Sequence, residues 1–455
     1  MIRRPSRSPQ STRRLAKANR NNTHAPGASG DTPFLLVARY ATIVAILASS
    51  FVLDPFADAS FDAPKWLLVK LAAITAIVSL LLAPPSPPKA AWAPAARWSF
   101  GLLVGAVGCA VLATLFSIHG EASWRALFAM IVCGLYLVIG ASRVLHRAAG
   151  QRIFVLFIIT SVCTALVSLM QAAGIPLPLN VQHVGGRFPN GALLGNEGFV
   201  ALLCALLGAS GLGLLFGQGT TKRTRTIAIA ITSVAVVTII VNRQVTSAVA
   251  LGIAATTVIA LRFGRRWLVV ALATTILLLG ACAAIPVLRA HTWAALPGAS
   301  VDAYQRLTTY RLGGWIAADE IVRANPWLGR GPGSFAREST ARRLDAEIRV
   351  GARFVQPTGG TFVYAHMDLL QLAAECGAPA AILVALALGI TFRNVAIFAH
   401  AAHRAETLVL LGVVTAGSVS SLAWFPLQIP VTAVALLLAC GRLWRICADT
   451  DPEAR

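Results

Sequence analysis

Residues 226–261 read TIAIAITSVAVVTIIVNRQVTSAVALGIAATTVIAL, a nearly continuous apolar stretch interrupted at Asn242 and Arg243. It is too long for one crossing of a hydrocarbon core of roughly 30 Å, so it must be two helices joined by a tight turn. Working outward, runs long enough to span, at roughly 20 apolar residues each, recur near 34–53, 66–83, 98–116, 124–142, 153–174 and 196–216 before this pair, and near 267–288, 367–391, 405–424 and 427–444 after it. The 455 residues are 56% hydrophobic and 13% charged, which is too apolar for a soluble globular protein. The expected fold is all-α: a polytopic integral membrane protein of about twelve transmembrane helices.

A formal net charge of +21 could serve nucleic acid, anionic lipid or an anionic substrate. Its distribution decides. Threading from a cytoplasmic N-terminus puts Lys89 and Arg97 inside, with Arg143, Arg147 and Arg152, Lys222, Arg223 and Arg225, and Arg262, Arg265 and Arg266. Arg393, Arg404, Arg442 and Arg445 fall on the same side, so every connection expected to be cytoplasmic is basic. Most of the excess therefore sets orientation, both termini are expected inside, and no nucleic-acid partner is expected. The run 34–53 is longer than a signal-peptide core, which makes it an uncleaved first helix. Residues 1–33 are expected to be a disordered basic cytoplasmic tail held near membrane lipid. The eight cysteines show no C-x-x-C or Cys/His spacing and are expected to pack as small residues.

The expected organisation is nine helices over 34–288, a large outer loop over 289–366, three helices over 367–444 and a cytoplasmic tail over 445–455. The loop breaks the charge rule, because it is external and rich in arginine, including Arg306, Arg311, Arg330, Arg337, Arg342, Arg343 and Arg353. Anionic ligand binding is the natural use. Tyr310 to Ala324 is expected to form an amphipathic helix stopped by Asn325-Pro326. Gly329, Gly331, Pro332 and Gly333 then make a turn, and helix and turn together form one packed lid.

Three residues stand out chemically. Arg243 lies in an outer helix turn near membrane depth, where an unpaired charge costs several kcal/mol, roughly 2.5 to 3.5 at mid-bilayer and less near the surface. It should have a partner or else snorkel to lipid phosphate. Arg311 lies one turn before Trp315, at the N-terminal end of the loop helix, a combination that attracts phosphate. His366 sits where the next apolar run begins, at the outer boundary, and an imidazole there can move protons near neutral pH. Glu375, read as intramembrane, needs a buried partner or a proton. No external D-x-D or ligand cluster points to a metal, and Asp449-Thr450-Asp451 lies in the expected cytoplasmic tail; neither metal nor cofactor is expected.

Several motifs resemble the O-antigen ligase and polymerase family of bacterial envelope glycan enzymes. Asp62-Ala-Pro-Lys65 looks like the family's early outer-loop signature, and Gly186-Arg-Phe-Pro-Asn190 followed by Asn196 is similar to its glycine/asparagine segment. Arg243 falls where the family has an arginine between two central helices. The fullest agreement runs from Arg311 to Trp315, through Asn325-Pro-Trp-Leu-Gly-Arg-Gly-Pro-Gly-Ser-Phe335, to His366, Gln371, Glu375 and Gly377. Asn242 stands where a serine often precedes the arginine, Met367 where an asparagine follows the histidine, and Ala380 replaces a second glycine.

The resemblance implies a GT-C-like architecture in the bacterial inner membrane with a periplasmic active loop. It implies a metal-independent, inverting glycosyltransferase that takes a glycan from undecaprenyl pyrophosphate and places it on lipid A-core or another glycan acceptor. Arg243 and Arg311 would stabilise the pyrophosphate and His366 would act as base. Arg187 and Asn190 would contact the donor, and Tyr310 and Trp315 complete the candidate substrate-binding set. Ligation, polymerisation of repeat units and transfer to protein share these motifs, so they stay open, with ligation preferred. A lipid-linked glycan transporter is the alternative from another class.

Overall fold

The computed structural model describes residues 32–56, 59–84, 94–175, 190–264, 266, 269, 300–308, 310–354, 361–398 and 405–450. In chain order its helices are α1 Pro33–Phe51, α2 Ala63–Leu82, α3 Pro94–Leu115, α4 Gly120–Ala141, α5 Arg147–Ala172, α6 Glu197–Phe216, α7 Lys222–Val241 and α8 Val245–Phe263. After these come α9 Val301–Leu307, α10 Leu312–Ala324, α11 Phe335–Val350, α12 Asp368–Cys376, α13 Ala378–Phe398, α14 Ala405–Ser420 and α15 Pro430–Thr450. Ten of them, α1 to α8, α13 and α15, are long and apolar enough to cross a membrane, and α14 is a shorter apolar helix. The expected crossing at 267–288 and nearly all of the N-terminal tail lie outside the described residues. The protein is an all-α, multi-pass membrane protein.

Helices α6 and α15 form the middle of the bundle, with 72% of each apolar window buried against only 28% for α3, α7, α8 and α13. Outer helices turn large apolar side chains such as Leu81, Val155 and Ile240 outward, as lipid-facing surfaces do. Small residues allow the inner helices to approach closely. At Gly213 of α6 a β-carbon would lie 2.5 Å from Val409 Cα of α14. Gly140 of α4 and Gly441 of α15 face backbone of each other's helix in the same way.

Two expected elements are corrected. The run 367–391 is not one spanning helix: Gly377, at φ 86°, separates the short α12 from the spanning α13. At 1.5 Å per residue the nine residues of α12 cover only about 14 Å, so Glu375 lies in a loop-side helix and not within a membrane span. The loop helix begins at Leu312, not Tyr310, because Tyr310 has φ 59° and cannot continue a right-handed helix. It does end at Ala324, with Asn325 as its cap. Helix α15 runs on to Thr450, so residues 445–450 of the expected tail are helical.

Helices α7 and α8 are joined by the three residues Asn242 to Gln244, which makes them antiparallel neighbours. One end of the bundle thus carries this turn, the outer loop and the α14–α15 connection. The other carries the starts of α5, α7 and α14.

Candidate active site

The α7–α8 turn is fixed from below. Asn242, the departure from serine, is buried, and its Nδ2 donates to Ser168 Oγ at 3.2 Å. That hydroxyl donates to Asn190 O at 2.7 Å, which ties the turn to the segment before α6. The same segment is gripped from the first turn of α2: buried Lys65 Nζ donates to Leu193 O at 2.8 Å and to Phe61 O at 2.6 Å. Asp62, at the cap of α2, is held above the usual carboxylate range by burial, an effect that Lys65 opposes.

Arg243 itself projects from the turn into the open, with φ 51°. Of the two expected readings, a partner or snorkelling to lipid phosphate, the first has no ion pair to support it among the described residues. The physical reason is the turn, which lifts the side chain clear of the apolar wall. Three residues on, Thr246 Oγ1 accepts a hydrogen bond from Arg311 Nη1 at 3.1 Å, which ties Arg311 to the helix that follows the Arg243 turn.

Arg311 is the cap residue of α10 and is almost fully buried. Nη1 also donates to Ala423 O at 3.1 Å, and its Cζ lies 3.9 Å from the ring centroid of Trp424. His366 approaches the same indole, with ring centroids 5.5 Å apart, and lies 4.9 Å from the ring of Phe425. Trp315 Nε1 donates to His366 O at 3.2 Å, fixing the imidazole's backbone to α10. Asp368 completes the clamp. Its N–H donates to Ser421 O at 3.0 Å, and its Oδ2 accepts from Ser421 Oγ at 3.1 Å and Leu427 N at 3.2 Å. Residues 366–368 are thereby tied to the connection that carries Trp424 and Phe425. Burial pushes the Asp368 carboxyl up to about 7.

Four described non-glycine residues have left-handed φ: Ala192, Arg243, Tyr310 and His366. Each costs roughly 1–2 kcal/mol. Three of the four are residues singled out from the sequence, and strain of this kind gathers where the surrounding structure has a use for it.

The lid is packed as expected. Arg330 N donates to Ala374 O at 3.1 Å and Gly331 N to Glu375 O at 2.8 Å, while the Glu375 carboxylate accepts from Phe335 N at 3.3 Å and Gln371 Nε2 at 3.2 Å. Glu375 thus has its partner in the lid, and burial raises its carboxyl to about 6. Many loop arginines also serve structure: Arg330 and Arg342 reach Glu338 at 3.7 and 3.4 Å, Arg323 reaches Asp319 at 2.8 Å, and Arg349 pairs with Glu320. Arg311 is held by two neutral oxygens and an indole face.

Tyr310 and Trp315 therefore sit beside Arg311 and His366, and Asn190 reaches the turn through Ser168. Arg187 lies outside the described residues. Trp424, Phe425, Asp368 and Thr246 were missed. Aromatic residues in an outer connection read as interfacial anchors, and nothing in their spacing links them to a histidine 58 residues earlier. Asp368 followed His366 closely enough to be suspected, but it was absorbed into an apolar run. Among the described residues no group of three or more His, Cys, Asp or Glu is placed to hold a metal ion.

No curated protein matches the chain. The sequence profile described as O-antigen ligase matches residues 227–385, from α7 through the outer loop and α12 into α13. It takes in Arg243, Arg311 and His366 and stops short of Trp424. Over residues 227–385 the chain is thus similar to the O-antigen ligase family.

Proposed function

We propose that the protein transfers a glycan from undecaprenyl pyrophosphate to lipid A-core at the periplasmic face of the bacterial inner membrane, as an O-antigen ligase. The observation that carries this reading is the meeting of Arg311 and His366 on one indole, with Arg311 bonded to the helix that follows the Arg243 turn. An acceptor hydroxyl attacks the anomeric carbon and gives its proton to the His366 imidazole, while the bond from that carbon to the pyrophosphate oxygen breaks with both electrons leaving on the pyrophosphate. Attack opposite the leaving group inverts the anomeric centre. The negative charge gathering on the pyrophosphate is met by planar guanidinium groups, Arg311 held rigidly and Arg243 reaching in from its turn. One well-placed donor of this kind is worth on the order of a hundredfold to a thousandfold in rate. The chemistry is written without a metal. Exposed apolar helix faces suit a polyprenyl chain entering from the bilayer, and Asn190, Tyr310, Trp315 and Arg187 would line the approach.

Glu375 was the ionisable group that a transporter would have used within the membrane; its engagement with the lid favours the enzyme. The test uses purified protein in lipid with undecaprenyl-pyrophosphate glycan, EDTA, and lipid A-core, a second donor or a peptide offered separately. Transfer to lipid A-core supports the ligase. Transfer only to the second donor makes it a polymerase, transfer only to peptide a protein glycosylating enzyme, and carrier movement without transfer a transporter.

A further inference from the structure

At the end of the bundle away from His366, a cavity of about 470 Å³ opens between α5, α14 and α15. Its direction follows from the helices. α7 runs from the cavity's rim at Thr224 to the Arg243 turn, and α14 from Glu406 toward the connection bearing Trp424. The cavity is chemically graded. Deep in it the walls are apolar, including Phe157, Ile158, Val413 and Ala435. Polar groups gather at one end: Gln151, Thr224, Glu406 and Arg442. Each of the first three is within five residues of the start of its helix.

Arg442 is only 7% exposed. Its Nε donates to Glu406 Oε1 at 2.7 Å, and its buried Nη1 has no hydrogen-bond partner among the described residues. An unsatisfied guanidinium nitrogen costs about 1–3 kcal/mol, more when the group is charged, so the site is incomplete as it stands. Around the rim, Thr224 is flanked by exposed Lys222, Arg223 and Arg225, and Gln151 by exposed Arg152. The Glu406 carboxylate offsets Arg442, leaving the four rim cations as the net local charge.

We infer that this cavity binds an anionic glycerophospholipid from the adjoining leaflet. An acyl chain occupies the apolar depth, and the head-group phosphate lies among the rim cations with an oxygen accepting from Arg442 Nη1. A long apolar interior ending in excess positive charge matches a lipid better than a soluble anion, which would leave the depth empty. The site is separate from the transfer chemistry and does not depend on the function proposed above.

The full-length protein in detergent is mixed with phosphatidylglycerol, phosphatidylcholine or inorganic phosphate, and bound molecules are counted by native mass spectrometry. Phosphatidylglycerol should be retained at least about fivefold better than phosphatidylcholine, the ratio expected from roughly one effective cation. Inorganic phosphate should neither bind nor compete. Ala435→Phe, which fills the cavity without touching a charge, should lower phosphatidylglycerol retention about fivefold or more. The paired variant Glu406→Gln with Arg442→Gln, which leaves no lone buried charge and the rim cations intact, should lower retention of both lipids, since the phosphate that accepts from Arg442 Nη1 is common to them. Equal retention of the two lipids by the wild type would overturn the inference, as would undiminished retention in Ala435→Phe or competition by inorganic phosphate at equal concentration.

Discussion

The guanidinium carbon of Arg311 lies 3.9 Å from the centre of the Trp424 ring, and the other contacts of that ring include the imidazole of His366. A residue 58 positions beyond His366 thus sets the distance between the group proposed to stabilise the leaving pyrophosphate and the group proposed to take the acceptor's proton. A desolvated cation–π contact is worth about 2 kcal/mol. Trp424→Ala should therefore slow glycan transfer about thirtyfold, with Trp424→Phe recovering most of the loss. Initial rates with purified variants check this, and equal rates for wild type and Trp424→Ala would remove Trp424 from the site.

Arg311 and Arg243 should respond differently to substitution. Arg311 is buried and bonded to Thr246 and Ala423, so Arg311→Lys, which keeps the charge and loses the planar fork, should cost on the order of a hundredfold in rate and also lower thermal stability. Arg243 is exposed, so Arg243→Ala should lose activity with its melting temperature within about a degree of wild type. Melting curves and transfer rates on the same samples separate the two cases.

Glu375 should make stability depend on pH. Burial raises its carboxyl to about 6, above its value of about 4.3 in an unfolded chain. The folded state therefore holds the proton more tightly. The stability this brings is fully present below about pH 4 and is lost as pH rises through about 6, an effect of about 2 kcal/mol. Wild type should lose melting temperature between about pH 4.5 and about pH 7.5 relative to Glu375→Gln, whose amide oxygen can still accept from Phe335 N. Parallel slopes for the two proteins would rule out Glu375 as the source.

Gly377 should tolerate no side chain. Its φ is 86°, and a β-carbon there would strike the Trp327 carbonyl. Gly377→Ala should destabilise the α12–lid junction by about 1–3 kcal/mol. Limited proteolysis should then cut the outer loop faster while the spanning helices stay intact.

Much of the bundle was legible because hydrophobic length is a direct physical requirement of the bilayer, which is why the turn between the crossings at 226–241 and 244–261 was placed to within a residue, while the first of them starts four residues earlier, at Lys222. The break at Gly377 was not, since the apolar run 367–391 carries only Asp368, Gln371 and Glu375 as interruptions and it is the glycine's positive φ that shows the chain turning there. In the candidate site, Arg243, Arg311 and His366 stand out from motif and charge placement. Their geometry was hidden: the sequence left open whether Arg243 meets a partner or snorkels to lipid phosphate, and it put Arg311 at the N-terminal end of the loop helix without showing that it is buried. Trp424 and Thr246 carry no charge and no motif, so only the fold could bring them to the histidine. The left-handed backbone at Tyr310 and His366 is likewise imposed by tertiary contacts and not by local sequence preference.

The central claim is that His366 takes the acceptor's proton while Arg311 meets the leaving group. Its most direct test is glycan transfer by His366→Ala in EDTA, with donor binding measured on the same reconstituted sample. The account predicts that the variant still binds undecaprenyl-pyrophosphate glycan and transfers it at least about a hundredfold more slowly than wild type. Transfer by His366→Ala at the wild-type rate would contradict it.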